Sequence, residues 1–257
     1  SAADRGARRG VHRLGCDTVS MSEHVTSDPS RTPQPSPAAV SEPRVPGTTL
    51  VHLVRHGEVH NPEKVLYGRL DGYHLSELGH EMAELTSQWL APRDVTHLVS
   101  SPLERAQETM APIADKLGLP VTLDERVIEA GNDFEGMTVG SNPKQLMQPR
   151  FWPKLTNPFR PSWGEPYDEI AARMDAAIRD ARDAASGHEA VIVSHQLPVW
   201  TARRFAEGKR LWHDPRSREC TLASVTTIEF TGDEITDVRY TEPAGRLLAA
   251  STNAVGA

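Results

Sequence analysis

The chain has 257 residues, of which 38% are hydrophobic, and 28 Lys and Arg against 35 Asp and Glu give a formal net charge of -7. This length suits one α/β domain with an appendage, or at most two small domains, and the negative charge argues against nucleic-acid binding. Because the two cysteines lie far apart and no apolar run is long enough to span a bilayer, we expect a cytoplasmic protein without a membrane partner.

Residues 1–47 are predicted to be a disordered tail, since they are rich in Pro and Ser and offer little apolar surface to bury. Regular structure is expected from Thr48, where an apolar and β-branched run predicts a buried strand. One folded domain is predicted over 48–243. The small residues of 244–257 indicate a flexible tail.

Helical and strand patterns alternate along the folded domain. Apolar spacing predicts helices over 75–91, 101–118 and 165–185 and near Val199, and strands over 97–101, 120–123 and 189–194. In the second helix, Ser101 is expected to be the N-cap, with Pro102 in the first turn and Glu104 completing a capping box.

The end of the domain has a different pattern. Residues 137–165 are irregular and rich in Pro, Trp and Phe, which predicts an insertion or a lid. Residues 221–230 and 234–241 are predicted to form a closing antiparallel pair. The whole pattern predicts a three-layer α/β/α sandwich around a mostly parallel sheet with antiparallel edge strands.

Three predicted strands lead into arginine or histidine residues. Arg55 and His56 end the first strand, Arg105 lies in the first turn of the helix after the second, and His195 follows a third. Ligands bind outside the carboxyl ends of strands in open α/β sheets, so these side chains are expected to surround one point. Two arginines, two histidines and a helix N-terminus form a site for an anion such as phosphate.

Such a site has the groups that phosphoryl transfer needs. A neutral histidine can be the nucleophile, so we expect His56 to form a covalent phosphohistidine, with Gly57 permitting close approach. The leaving oxygen needs a proton, which a carboxylic acid of raised pKa can supply. Glu129 is the first candidate for this acid, and the alternatives are Glu58, Glu125 and Glu135.

These motifs together resemble those of the histidine phosphatase superfamily, the phosphoglycerate mutase-like proteins. The matches follow the family order and are Arg55-His56-Gly57-Glu58, LSELG at 75–79, SSPLERAQET at 100–109, Glu129 with Phe134-Glu135-Gly136, and VSH at 193–195. The resemblance implies that His56 is the phosphorylated nucleophile and Glu129 the proton donor. It implies that the phosphoryl oxygens are held by Arg55, Arg105 and His195. It also implies a small phosphorylated substrate as partner and a reaction without metal or other cofactor.

Four further residues are candidates for substrate binding, namely Asn61, Gly68, Arg69 and Gln196. Asn61 comes one residue earlier than the family asparagine. Gln196 stands where the family usually has glycine, so its larger side chain could narrow or polarise the pocket. The step from Glu129 to Glu135 is also about one residue short.

Three functions fit these residues. The first is a phosphomonoesterase of the histidine acid phosphatase type that acts on a small phosphorylated metabolite. The second is a cofactor-dependent phosphoglycerate mutase. The family's mutases carry an arginine pair soon after the acid, whereas this chain has Asp133 and Glu135 there, which favours the phosphatase branch. The third is a non-catalytic phosphoryl-binding module, although such a module would normally have lost part of the constellation.

Overall fold

The computed structural model describes residues 47–138 and 164–251, which form six strands and four α-helices. The strands are β1 (Thr48–Arg55), β2 (Val95–Ser100), β3 (Val121–Leu123), β4 (Glu189–Ser194), β5 (Val225–Thr231) and β6 (Glu234–Thr241). The helices are α1 (Glu77–Leu90), α2 (Glu104–Leu117), α3 (Tyr167–Ala184) and α4 (Gln196–Ala206). Short 3-10 helices span Glu125–Val127, Pro215–Ser217 and Gly245–Ala250. The predicted N-terminal tail up to residue 46, most of the predicted insertion and the last six residues lie outside the described residues.

The strands form one sheet in the order β3-β2-β4-β1-β5-β6. The first four strands of that order run parallel, and β5 pairs antiparallel with both β1 and β6. The predicted mostly parallel sheet with antiparallel edge strands is therefore confirmed. The central pair is β1 and β4, whose register sets Leu50 against Glu189 and Arg55 against Ser194.

Helices cover both faces of the sheet. Along β1, Val51 and Leu53 point into a core formed with α3 and α4, whereas Val54 points into a second core formed with α1 and α2. This alternation follows from the two-residue period of a strand, and it confirms the three-layer sandwich. Among the described helices, none combines the length and apolar character that crossing a membrane requires.

The start of α2 differs from the prediction. The helix begins at Glu104 with Leu103 at the cap position, and no side chain caps it. The predicted Ser101 cap is wrong because, among the described backbone N–H groups, the Ser101 hydroxyl accepts only that of Leu103, at 3.4 Å and before the helix begins, and lies 2.7 Å from His195 Nε2. The Glu104 side chain, predicted to complete the capping box, bonds to a loop residue: its Oε1 accepts a hydrogen bond from the backbone N–H of Gly72 at 3.1 Å.

The segment after β6 also differs from the predicted flexible tail. Ala244 is buried, and Leu247 and Leu248 pack with it against residues of α1 and of the loop before β5. The Ser251 hydroxyl then donates to Glu58 Oε1 at 2.8 Å. Leu247 and Leu248 provide apolar surface for this packing, which the small residues of the segment alone would not provide.

Candidate active site

The register of the central strands brings the two predicted histidines together. Because Arg55 lies opposite Ser194, His56 and His195 follow at the same level of the sheet edge. Their ring centroids are 5.2 Å apart. The backbone N–H of His56 continues the parallel pairing by donating to the Ser194 carbonyl at 3.1 Å. Residues distant in sequence thus share one site through strand pairing alone.

The hydrogen bonds of His56 leave one ring nitrogen available for chemistry. The side chain is fully buried, and Nδ1 lies 2.8 Å from the carbonyl oxygen of Gly57. A carbonyl oxygen only accepts, so Nδ1 carries the proton and Nε2 carries the lone pair. Burial, followed by the charges of Arg105 and Arg55, holds the pKa of His56 well below its ordinary value. His56 is therefore a neutral imidazole whose Nε2 has no hydrogen-bond partner among the described residues.

The backbone around His56 is fixed by close packing on two helices. A methyl group on Gly57 would lie 2.6 Å from the carbonyl oxygen of Gly79, and one on Gly79 would lie closer still to the carbonyl oxygen of Glu58. The Gly57 N–H also donates to Thr109 Oγ1 of α2 at 3.1 Å. Glycine at both positions lets α1 approach the loop that carries His56.

Two buried arginines flank the histidines. Arg55 donates from NH1 to the Cys220 carbonyl at 2.7 Å, and Arg105 donates from NH2 to the Gly68 carbonyl at 2.6 Å. The guanidinium carbon of Arg105 also lies 4.8 Å from the ring centroid of Tyr67. Within the described part of the chain, neither arginine forms an ion pair with a carboxylate. Both therefore keep a positive charge for an anionic ligand.

Glu129 joins this group as a buried carboxyl. Its side chain is 4% exposed, and Oε1 accepts the N–H of Ala130 at 2.8 Å. Burial raises the pKa of Glu129, and the Ala130 N–H and three arginines oppose that shift only in part. Oε2 finds no hydrogen-bond partner in the described ranges. A protonated carboxyl at this position has the form that a proton donor needs.

A set of ion pairs holds the segment that carries Glu129. Arg173 of α3 donates from NH1 to the carbonyl oxygen of Ile128 at 2.8 Å, and its Nε pairs with Glu165 at 2.7 Å. Glu165 also pairs with Arg69 NH2 at 2.9 Å, and Arg69 Nε donates to the Glu129 carbonyl at 2.7 Å. Two of the three nitrogen groups of Arg69 thus bind the backbone and side chains around the acid. A substrate contact by Arg69 stays a prediction.

His195 completes the ring of predicted residues. Burial, with the neighbouring charge of Arg105 next in importance, lowers the pKa of His195 well below its ordinary value. Its Nε2 bonds to the Ser101 hydroxyl, and its Nδ1 has no partner among the residues of 47–138 and 164–251. Ser101 therefore orients the ring, a role that the capping interpretation of Ser101 missed.

Asn61 and Gly68 serve the loop after β1. Asn61 donates from Nδ2 to the Val65 carbonyl at 2.8 Å, and its Oδ1 accepts the Val65 N–H at 3.0 Å. Gly68 has a positive φ of 42° and offers its carbonyl to Arg105. The Asn61 side chain closes a turn, and the Gly68 carbonyl binds Arg105. The predicted contacts of Asn61 and Gly68 with substrate stay predictions.

Gln196 leads to an arginine that the sequence analysis did not select. Gln196 Nε2 donates to the Cys220 carbonyl at 3.4 Å, and its Oε1 accepts from Arg218 NH1 at 3.4 Å. The positive charge of Arg218 is one of those that act to lower the pKa of the Glu129 carboxyl. Arg218 lies in an irregular stretch between α4 and β5, where no local pattern distinguishes it from a solvated arginine.

The site therefore presents a set of buried polar atoms that lack hydrogen-bond partners in the described ranges. They are His56 Nε2, His195 Nδ1, Arg55 Nε, Arg105 Nε and NH1, and Glu129 Oε2. Among the described residues, no group of three or more His, Cys, Asp and Glu side chains is placed to hold a metal ion. This set can bind a tetrahedral oxyanion, attack it with an imidazole nitrogen and protonate a leaving oxygen.

Comparison with known proteins gives a consistent group of relatives. The profile of the histidine phosphatase superfamily (branch 1) matches residues 51–243. The uncharacterized protein Rv0525 of Mycobacterium tuberculosis (strain ATCC 25618 / H37Rv) is 55% identical over 200 residues, which cover 78% of this chain and 99% of that protein. A protein named probable phosphoglycerate mutase GpmB, from Yersinia pestis (strain Pestoides F), is 32% identical over 152 residues, or 58% of this chain and 70% of that protein.

A similar fold occurs among solved structures. The native structure of the mycobacterial glucosyl-3-phosphoglycerate phosphatase Rv2419c superposes with a TM-score of 0.62 at 23% identity. The superposition covers 76% of this chain and 98% of that one. At this identity the likeness concerns the fold alone.

Proposed function

Because the chain belongs to the histidine phosphatase superfamily (branch 1), we propose that it hydrolyses the monoester of a small phosphorylated metabolite through a phosphohistidine on His56. The observation that carries the proposal is the neutral His56, whose available Nε2 is surrounded by two arginines without carboxylate partners in the described chain and by a carboxyl of raised pKa. Glucosyl-3-phosphoglycerate phosphatase, which shares the fold, is an enzyme of this general kind.

The first step transfers the phosphoryl group to the enzyme. The Nε2 lone pair of His56 attacks phosphorus, a P–N bond forms, and the bond from phosphorus to the ester oxygen breaks. Glu129 gives its proton to that oxygen, so the alcohol leaves neutral and Glu129 becomes a carboxylate. Arg55, Arg105 and the Nδ1 side of His195 hold the equatorial oxygens, whose negative charge the two guanidinium groups offset.

The second step returns the enzyme to its starting form. A water molecule takes the place of the alcohol and gives a proton to the Glu129 carboxylate as its oxygen attacks phosphorus. The P–N bond breaks, inorganic phosphate leaves, and His56 is again neutral. The Gly57 carbonyl oxygen accepts a hydrogen bond from the Nδ1–H of His56 throughout. This hydrogen bond stabilises the ring when phosphorylation gives it a positive charge.

The isomerase reading has one observation in its favour, which is the relative named a probable phosphoglycerate mutase. A mutase must protect the phosphohistidine from water while its ligand reorients. Incubation with 3-phosphoglycerate and 2,3-bisphosphoglycerate separates the two functions. Conversion to 2-phosphoglycerate much faster than phosphate release from any monoester would establish the isomerase instead.

The proposal is tested by trapping the intermediate. Wild-type protein mixed with a panel of labelled phosphomonoesters and quenched rapidly should carry acid-labile, base-stable label, and it should release inorganic phosphate. His56→Ala should abolish both because the variant lacks the proposed nucleophile, whereas His60→Ala is the matched control at an exposed histidine four residues away. Activity should also survive exhaustive EDTA treatment, since arginines supply the positive charge.

Two results would refute the proposal. One is a folded His56→Ala variant that retains turnover. The other is a wild-type protein that binds phosphate but neither turns over nor becomes labelled with any monoester, which would favour the non-catalytic module.

A further inference from the structure

Arg218 lies beside the pocket on the side of the proton donor. The carbonyl oxygen of Cys220 accepts from Arg55 NH1 at 2.7 Å and from Gln196 Nε2 at 3.4 Å, so Gln196 adjoins the phosphoryl site. Gln196 Oε1 then accepts from Arg218 NH1 at 3.4 Å. Arg218 is also one of the arginines whose charges act to lower the pKa of Glu129, which agrees with a position on the side of the pocket that holds the acid.

His213 fixes the orientation of this arginine. Its Nδ1 bonds to the Leu211 carbonyl at 2.7 Å, which places the proton on Nδ1 and leaves Nε2 to accept from Arg218 Nε at 2.9 Å. The His213 ring is 6% exposed and lies 5.3 Å from the ring centroid of Tyr167 and 5.8 Å from that of Trp200. His213, which is buried beside two aromatic rings, thus holds the Arg218 guanidinium in one orientation. A solvated surface arginine would have no such buried partner.

The charges of the site leave Arg218 without a counterpart. A phosphoryl dianion offsets the charges of Arg55 and Arg105, and Glu129 must carry a proton before the reaction if it is to act as the acid. Arg218 forms no ion pair with any carboxylate of the described residues. A third positive charge beside a site for a dianion favours a ligand with a second anionic group.

We propose that Arg218, held by Gln196 and His213, binds a carboxylate or a second phosphate on the leaving group of the substrate. The proposal rests on the function proposed above and deepens it by naming the substrate class, a phosphomonoester whose alcohol is itself anionic. Glu129 protonates the leaving oxygen, so an arginine next to Glu129 faces the leaving group rather than the transferred phosphoryl group. Gln196, in place of the usual family glycine, supplies an oxygen that positions the arginine.

A different role for Arg218 makes a different prediction. If the arginine only stabilised the Glu129 carboxylate after proton transfer, its removal would slow all monoesters equally and shift the pH profile of each. If it binds the leaving group, removal acts mainly on substrates with the second charge. The ratio of kcat/KM between matched substrates distinguishes these roles.

The experiment uses the full chain and pairs of monoesters that differ only in a charge on the alcohol, beginning with 3-phosphoglycerate and glycerol 3-phosphate. Wild type should prefer the anionic member of the pairs that it turns over. Arg218→Gln should lower kcat/KM for that member by roughly 30- to 100-fold, as expected for a lost charged hydrogen bond, and for the uncharged member by only a few-fold. Arg218→Lys should restore part of the preference, because it restores the charge but not the fork of donors.

Arg216→Gln is the matched control, since Arg216 is 90% exposed two residues away and pairs with Asp214. It should leave both members of each pair unchanged, and thermal unfolding should show that all variants are folded. Equal losses for both members in Arg218→Gln, or no wild-type preference for the anionic member, would overturn the inference while leaving the phosphatase proposal intact. Absence of phosphate release and of phosphohistidine with every monoester would instead refute the proposed function and the inference with it.

Discussion

Burial shifts the ionisation of single residues of the site. It lowers the pKa values of His56 and His195, which favours the neutral imidazoles, and it raises the pKa of Glu129, which favours the protonated carboxyl. Each shift is useful for phosphoryl transfer, because the nucleophile must have a lone pair and the acid must have a proton. The same shifts make stability depend on pH.

Glu129→Gln should lower activity and raise stability. The folded protein keeps a proton on Glu129 above the ordinary pKa of 4.5, so it binds more protons than the unfolded chain as pH rises from there to the raised value. The contribution of Glu129 to stability therefore falls with rising pH across that window. The variant should have a higher Tm than wild type at pH 8 and a smaller gain at pH 4.5. Its kcat should fall by roughly 10²- to 10⁴-fold for substrates with poor leaving groups.

Glu125→Gln is the control for that experiment, because Glu125 is exposed and lies in the same short stretch. It should change neither Tm at pH 8 nor kcat. Equal Tm values for Glu129→Gln and wild type at both pH values would contradict a buried carboxyl of raised pKa.

The sequence was sufficient to predict the site residues that end strands. Arg55, His56 and His195 stand next to clear strand patterns, so their meeting follows from the parallel sheet. Arg218 and the role of Ser101 were not predictable in this way. Arg218 follows an irregular stretch, and its neighbours are set by tertiary contacts that leave no local periodicity.

At the scale of elements, the site depends on how closely α1 approaches β1. Ser76 caps α1 by accepting the Gly79 N–H at 3.0 Å, and its hydroxyl donates to Glu58 Oε2 at 2.7 Å. The first turn of the helix is thus tied to the loop just after His56. Any change that moves this turn should also move His56.

Gly79→Ala should destabilise the protein although alanine favours helices. The helical preference of Ala over Gly is worth about 1 kcal/mol. The added methyl would collide with the Glu58 carbonyl, and overpacking of this kind costs roughly 1–3 kcal/mol. The steric effect should prevail, which chemical denaturation would measure as a lower free energy of unfolding, with reduced kcat as the loop shifts.

His80→Ala is the neighbouring control on the exposed side of α1, where alanine meets no such contact. It should be neutral or slightly stabilising. A Gly79→Ala variant as stable and as active as wild type would show that the helix and the loop are not in close contact.

Element order was predictable where apolar periodicity is strong, and less so where it is brief. The alternation of strands and helices predicts the three layers, and the short apolar run Val121–Leu123 suffices for β3. The segment Gly245–Ala250 was not recognised, because two leucines among small residues do not form a repeating pattern. Its structure depends on the apolar surface that α1 offers.

At the scale of the whole molecule, the end of the described chain returns to the start of the site. The segment after β6 packs on α1, and Ser251 bonds the carboxylate of Glu58, two residues after His56. The final described turn therefore supports the same loop that Ser76 holds from the other side.

A chain that ends at Pro243 should be less stable than the full chain. It loses the packing of Ala244, Leu247 and Leu248 together with the Ser251 hydrogen bond, and we expect a loss of roughly 2–4 kcal/mol in the free energy of unfolding. A chain that ends at Ser251 keeps every contact described for this segment and is the control. Equal Tm values for the two truncations would show that the segment contributes no stability.

The strand order has a consequence for how activity is acquired during folding. Strand β4 lies between β1 and β2 in the sheet although it follows both by about 90 residues or more in the chain, so the central pairing forms only after most of the domain has been synthesised. Parallel pairings between distant segments form slowly, since a long loop must close first. Before β4 inserts, His56 has neither His195 beside it nor the carbonyl of Ser194 to fix its backbone. A nascent or partly folded chain therefore carries His56, the proposed nucleophile, without the rest of its pocket, and we expect recovery of the proposed activity on refolding to follow the insertion of this central strand.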